Sequence, residues 1–119
     1  MSEAATRYRE AVVRRALEGP GTATAVARRA AFDNQGVDEP ARALVAKVAT
    51  AAWTVTDADV AATKSAGVSE DEIFEFAVCA ALGQATRQLD AALAALDAAA
   101  SRGAAPENGP RARGEGGTR

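Results

Sequence analysis

The stretch Ser69-Glu70-Asp71-Glu72-Ile73-Phe74-Glu75-Phe76-Ala77-Val78-Cys79-Ala80 decides the fold class. A serine able to cap a helix is followed by three acids suited to the positive end of the helix dipole, and Glu72 stands at the capping-box spacing from Ser69. The helical pattern then runs without a proline to about Ser101, with Ile73, Phe76, Ala77 and Ala80 on one side and Val78, Leu82, Leu89, Leu93 and Leu96 on a neighbouring one. A helix of that length far exceeds the usual ~10–14 residues of globular proteins. Gly83 offers a bend, and the many alanines let a partner helix approach closely; both uses stay open at this point.

Upstream, Thr56 is placed to cap a short helix from Asp57 to Ala66, which ends at Gly67, where a left-handed residue is cheapest. Before it, Asp38-Glu39-Pro40 has the cap, the acid and the early-turn proline of a helix start. Ala41, Leu44, Val45, Val48, Ala49, Ala52 and Trp53 then follow the i, i+3, i+4, i+7 spacing of a core-facing stripe, with Trp53 as its packing anchor. Nearer the N-terminus, Ser2 caps a helix to about Glu18 with Tyr8, Val12 and Ala16 along one face, and Gly19-Pro20-Gly21 ends it. A second helix begins at Thr22, with Val26, Ala27 and Ala30 inward, Arg28 and Arg29 outward, and Asn34-Gln35-Gly36 as its stop. No strand signal and no internal repeat appear. The reading is therefore all-α, a compact bundle of about five helices in a single domain over residues 1–102. Residues 103–119, rich in Gly, Pro and Arg without apolar periodicity, read as a disordered tail.

Composition narrows the function. Nearly half of the 119 residues are apolar, but most of that share is alanine, with three Phe, one Trp and one Tyr for bulk. A core of this kind is thin, so a homo-oligomer is the natural supplement. The formal charge of −2 argues against nucleic-acid binding. The arginine pairs 14–15 and 28–29 lack interleaved aromatics for base stacking and read as a solvated face. With one cysteine and no histidine there is no internal disulfide, no Cys/His zinc site and no nucleophile–histidine triad, and no cofactor or metal is indicated. No leader-like or membrane-spanning apolar run is present, which makes the cytoplasm the default expectation.

Four segments carry a family resemblance: Arg42-Ala-Leu-Val-Ala-Lys-Val-Ala49, Val55-Thr-Asp-Ala-Asp-Val-Ala61, Gly67-Val-Ser-Glu-Asp-Glu-Ile-Phe-Glu75 and Ala80-Ala-Leu-Gly83. Through them residues 38–101 resemble the carboxymuconolactone decarboxylase family and its alkylhydroperoxidase D-like branch of small helical proteins. That resemblance implies an alkylhydroperoxidase D-like bundle. In the peroxidase branch a Cys-x-x-Cys pair, a histidine and a glutamate move electrons and protons. Counting back from Gly67 places the two cysteines on Ala52 and Val55 and the histidine on Asp59. Counting forward from Arg42 places them on Val55, Ala58 and Ala62, with the glutamate on Ala43. The resemblance thus implies an atypical member without the Cys-x-x-Cys/His motif, acting by binding or homo-oligomeric assembly. The alternative is an atypical enzyme, peroxidase, disulfide reductase or decarboxylase-like, with a pocket between subunits.

Candidate site residues are Cys79, Asp59 and Arg87, together with Trp53. Cys79 lies in an apolar run and reads foremost as a small buried hydrophobe, and the acids at 70–75 would raise its pKa. Asp59 shares a first helical turn with Asp57, where the dipole already explains acids. Arg87 has Gln84 one turn before it and Asp90 one turn after, a polar patch suited to an oligomer interface or, less directly, a small-molecule ligand pocket.

Overall fold

The structure, a computed structural model, describes residues 1–104, and every regular element among them is helical. The helices are α1 (Glu3–Glu18), α2 (Ala25–Asp33), α3 (Arg42–Ala51), α4 (Asp57–Ser65) and α5 (Glu70–Ala104). The expected helical count and the all-α class hold. The long helix includes Gly103 and Ala104, and the rest of the expected disordered tail lies outside the described residues. The chain divides into two compact units, residues 1–86 and the portion from Arg87 onward. In the second unit Leu89 and Leu93 are half-buried and Leu96 is exposed.

Local chemistry set most of the helix starts. Ser2 Oγ accepts from the Ala5 amide at 3.0 Å. Thr56 and Asp59 form a complete capping box on α4, and Ser69 and Glu72 exchange the equivalent bonds at the start of α5 (3.0 and 3.1 Å). Gly67 has a φ of +112°, as its place after α4 predicts.

Several expectations are corrected. Asp38-Glu39-Pro40 does not begin α3. It forms a turn closed by the Ala41 amide donating to the Asp38 carbonyl, and the helix starts at Arg42. At the other end α3 stops at Ala51, and a single 3-10 turn, Ala52–Thr54, follows. Ala51 between them has a non-helical backbone (φ −155°, ψ 58°), which breaks the helical phase, so Trp53 leaves the buried stripe of Leu44, Val45 and Ala49 and is 83% exposed rather than the packing anchor expected. The inner face of α1 is Val13, Ala16 and Leu17, with Tyr8 and Val12 outside. Helix α2 is capped by Thr24, two residues later than expected, and its inner residues are Arg28, Ala31 and Phe32, with Val26 exposed.

The core of the first unit depends on small residues. Ala31 and Ala80 are fully enclosed, and Gly83 lies where α5 passes the end of α2. A Cβ on Gly83 would collide with the Phe32 carbonyl oxygen. Gly83, read from the sequence as a possible bend, is therefore a point of backbone approach within an unbroken helix. Replacing a helical glycine by alanine ordinarily stabilises by about 1 kcal/mol. Here Gly83→Ala is expected to destabilise by about 1–3 kcal/mol or more through overpacking, read as a lower midpoint in urea unfolding followed by circular dichroism.

Candidate functional site

The site begins with a missing donor. In α1 the Ala16 carbonyl would ordinarily receive the amide of residue 20, but Pro20 has none. Arg28 supplies the bond from α2: its Nη1 donates to the Ala16 carbonyl at 3.0 Å and to the Gly19 carbonyl at 2.8 Å. This is why Arg28, expected on the outer face, is only 6% exposed. The Cys79 thiol from α5 also points at the Ala16 carbonyl, at 3.7 Å.

Glu75, one turn before Cys79 on α5, holds the other half of the same loop. Its two carboxylate oxygens accept from the Thr22 and Ala23 amides, both at 2.8 Å. Those amides precede α2, so the bond to Glu75 also explains why the helix starts after them. The loop from Gly19 to Ala23 is thus clamped between a guanidinium on its carbonyls and a carboxylate on its amides. The sequence places Glu75 among the acids near a helix start and in a family-like segment, and places Arg28 in solvent. The signal that points to Arg28 is Pro20 itself, which orphans a carbonyl four residues earlier.

Above the clamp lies a groove of about 590 Å³ between α1 and α5. Val12, Phe74, Val78 and Leu82 give it apolar walls, and Arg15, Arg28, Glu75 and Cys79 are its polar lining. Phe74 is 69% exposed and Val12 55%, so the groove has exposed apolar lining on both helices.

Charge within the groove is already directed. The Thr22 amide holds the Glu75 carboxyl below its ordinary range, the Ala23 amide and the Arg28 charge act the same way, and burial opposes them. Burial pushes the Cys79 thiol up; the Arg28 charge opposes this and the Glu75 charge adds to it. Cys79 is buried and free, and the thiol form is favoured there.

The other candidates lie elsewhere. Asp59 sits in a separate cavity of about 180 Å³ with Pro40, Leu44, Lys47 and Thr63. Its carboxylate takes Lys47 Nζ at 2.8 Å and the Thr56 amide at 3.0 Å, and the bond to Lys47, followed by that to Thr56, keeps it below its ordinary range. Arg87 is exposed at the start of the second unit. The structure therefore does not bring Asp59, Cys79 and Trp53 into one site. Among the described residues no cluster of three or more metal-ligating side chains occurs, and no helix is long and apolar enough to cross a membrane. Comparison with known protein families, with curated proteins and with solved structures finds no match to this chain.

The depressed Glu75 pKa fixes the sign of a pH effect. A carboxyl held down in the folded state contributes stability above its unfolded pKa of about 4.3, and that stability is lost as pH falls through the folded value. Glu75→Gln is expected to cost about 1 kcal/mol at pH 7, since the amide keeps one acceptor and loses the charge. The gap between variant and wild type should narrow below about pH 4.3, which urea unfolding at pH 7 and at successively lower pH would measure.

Proposed function

We propose that this protein is a binding module whose receptor surface is the α1–α5 groove, and that it does not carry out thiol catalysis. The observation that carries the reading is the combination of an apolar groove of about 590 Å³, within the ~300–1,000 Å³ common for small-molecule sites, with floor groups already committed to the fold. Glu75 holds two amides, Arg28 holds the Ala16, Gly19 and Thr24 carbonyls, and the Cys79 thiol is disfavoured as a thiolate. A general acid–base or nucleophilic role would require releasing one of them and opening the loop clamp. The resemblance to carboxymuconolactone decarboxylase-like proteins is in keeping with this, because the positions matching the thiol pair hold no cysteine in either register. On this reading the protein is an alkylhydroperoxidase D-like bundle in which binding has replaced redox chemistry.

A neutral environment-sensitive dye such as N-phenyl-1-naphthylamine is expected to bind wild type with enhanced fluorescence. Ala11→Trp, which places an indole in the groove from an exposed lining position, should weaken it at least about tenfold. Equal dye binding by both proteins would refute the groove as receptor. In parallel, neither wild type nor Cys79→Ala should reduce peroxide with dithiothreitol above the buffer rate; turnover that depends on Cys79 would establish a thiol enzyme instead.

Homo-oligomeric assembly is a second reading, favoured by one observation in the second unit. There Leu89, Leu93 and Leu96 stand at i, i+4, i+7 on α5, and Leu96 is 65% exposed. Light scattering coupled to gel filtration is expected to give a multiple of the 12.1 kDa chain mass. The double substitution Leu93→Glu, Leu96→Glu should return it to a single chain. A monomeric wild type would overturn this reading.

A further inference from the structure

The groove has a polar end and an apolar end. Arg15, Arg28 and Glu75 all gather at the Gly19–Ala23 loop: the Arg15 guanidinium lies directly against Gly19, Arg28 bonds the Gly19 carbonyl, and Glu75 bonds the Thr22 and Ala23 amides. Val78 and Leu82 continue the lining along α5, one and two turns beyond Glu75. The three charges are not equivalent. Arg28 and Glu75 are held by the loop, whereas Arg15 has no ion pair and no side-chain hydrogen bond among the described residues. Two guanidiniums against one carboxylate leave the polar end net positive, and Glu75 is the group whose charge is already met by two amides.

We propose that the groove receives an amphipathic monocarboxylate, with its medium-length hydrocarbon chain along Val12, Phe74, Val78 and Leu82 and its carboxylate on Arg15. This rests on the reading of the groove as a receptor and names the class of its ligand. A planar guanidinium matches a carboxylate with two parallel charge-assisted bonds, which an ammonium or an alcohol head cannot reproduce there. Arg28 adds a buried positive charge behind the head group, and in a site walled by apolar side chains that charge is screened less than at an open surface. A cationic amphiphile would meet two guanidiniums and find Glu75 already engaged, so the selectivity is for the anion.

Isothermal titration of the full chain with decanoate, decanol and decylamine, at one ionic strength, tests this. Decanoate is expected to bind at least about tenfold more tightly than decanol, and decylamine more weakly than either. Arg15→Gln, at an exposed position with no hydrogen bond or ion pair of its side chain among the described residues, should bring decanoate to the decanol level while leaving decanol unchanged, and Arg15→Lys should restore part of the loss. Ala11→Trp should weaken decanoate and decanol alike. Equal affinities for decanoate and decanol, with both lost in Ala11→Trp, would overturn the anionic selectivity and leave the groove reading intact. No binding of any probe would overturn both. Decanoate binding that weakens as protein concentration rises, alongside a growing mass in sedimentation, would show that a second copy of the chain fills the groove and would overturn the ligand assignment.

Discussion

Arg28 and Glu75 meet the backbone of one short loop from opposite sides, and the position of α1 follows from that. A buried guanidinium is costly unless its donors find acceptors, and a helix end is costly unless its last carbonyls find donors. Here the two requirements cancel: Pro20 removes the amide that the Ala16 carbonyl would use, and Arg28 Nη1 takes its place. Glu75 then holds the amides that α2 leaves free, with the Arg28 charge close enough to favour its ionised form. Because Arg28 is on α2 and Glu75 on α5, the loop is tied to both helices, and α1 is placed against α5 with a groove between them.

Most caps governed by neighbours in sequence were legible, although the local start signal at Asp38-Glu39-Pro40 formed a turn instead, and contacts with distant partners were not legible. The caps at Ser2, Thr56 and Ser69, and the left-handed Gly67, each depend on residues within a few positions, and all appear as read. Trp53 misled because the apolar spacing continues across Ala51, where the backbone leaves the helical region, and periodicity carries no mark of that break. Arg28 misled because two adjacent arginines look like a solvated face. Only Arg29 is one, paired with Asp33 and lying over the Phe32 ring at 5.4 Å. The site was legible in pieces: Cys79 reads as buried from its apolar neighbours, but its contact with the Ala16 carbonyl spans more than sixty positions and has no local trace.

The small residues explain why apolar bulk lies on the surface. Ala31, Ala80 and Gly83 let backbones approach so closely that little room remains for large side chains inside the first unit. Of the five aromatic residues, Tyr8, Trp53 and Phe74 are exposed, and Phe74 lines the groove together with the exposed Val12. Scattered apolar side chains on a surface need no explanation, but a contiguous group around a concave opening does. The thin core and the apolar opening are thus two consequences of one composition.

The division of charge within that opening separates binding from catalysis. Catalytic groups work when their pKa values are tuned toward the operating pH and their reactive atoms are free to meet a substrate. In this groove the tuning runs the other way: the amides that Glu75 holds lower its pKa, and burial raises that of the Cys79 thiol. Asp59, the other acid singled out in the sequence, is fixed to Lys47 in a different cavity and lends the thiol no base. What is left uncommitted at the groove is shape, apolar surface and the Arg15 charge, and these are what the proposed binding role would use.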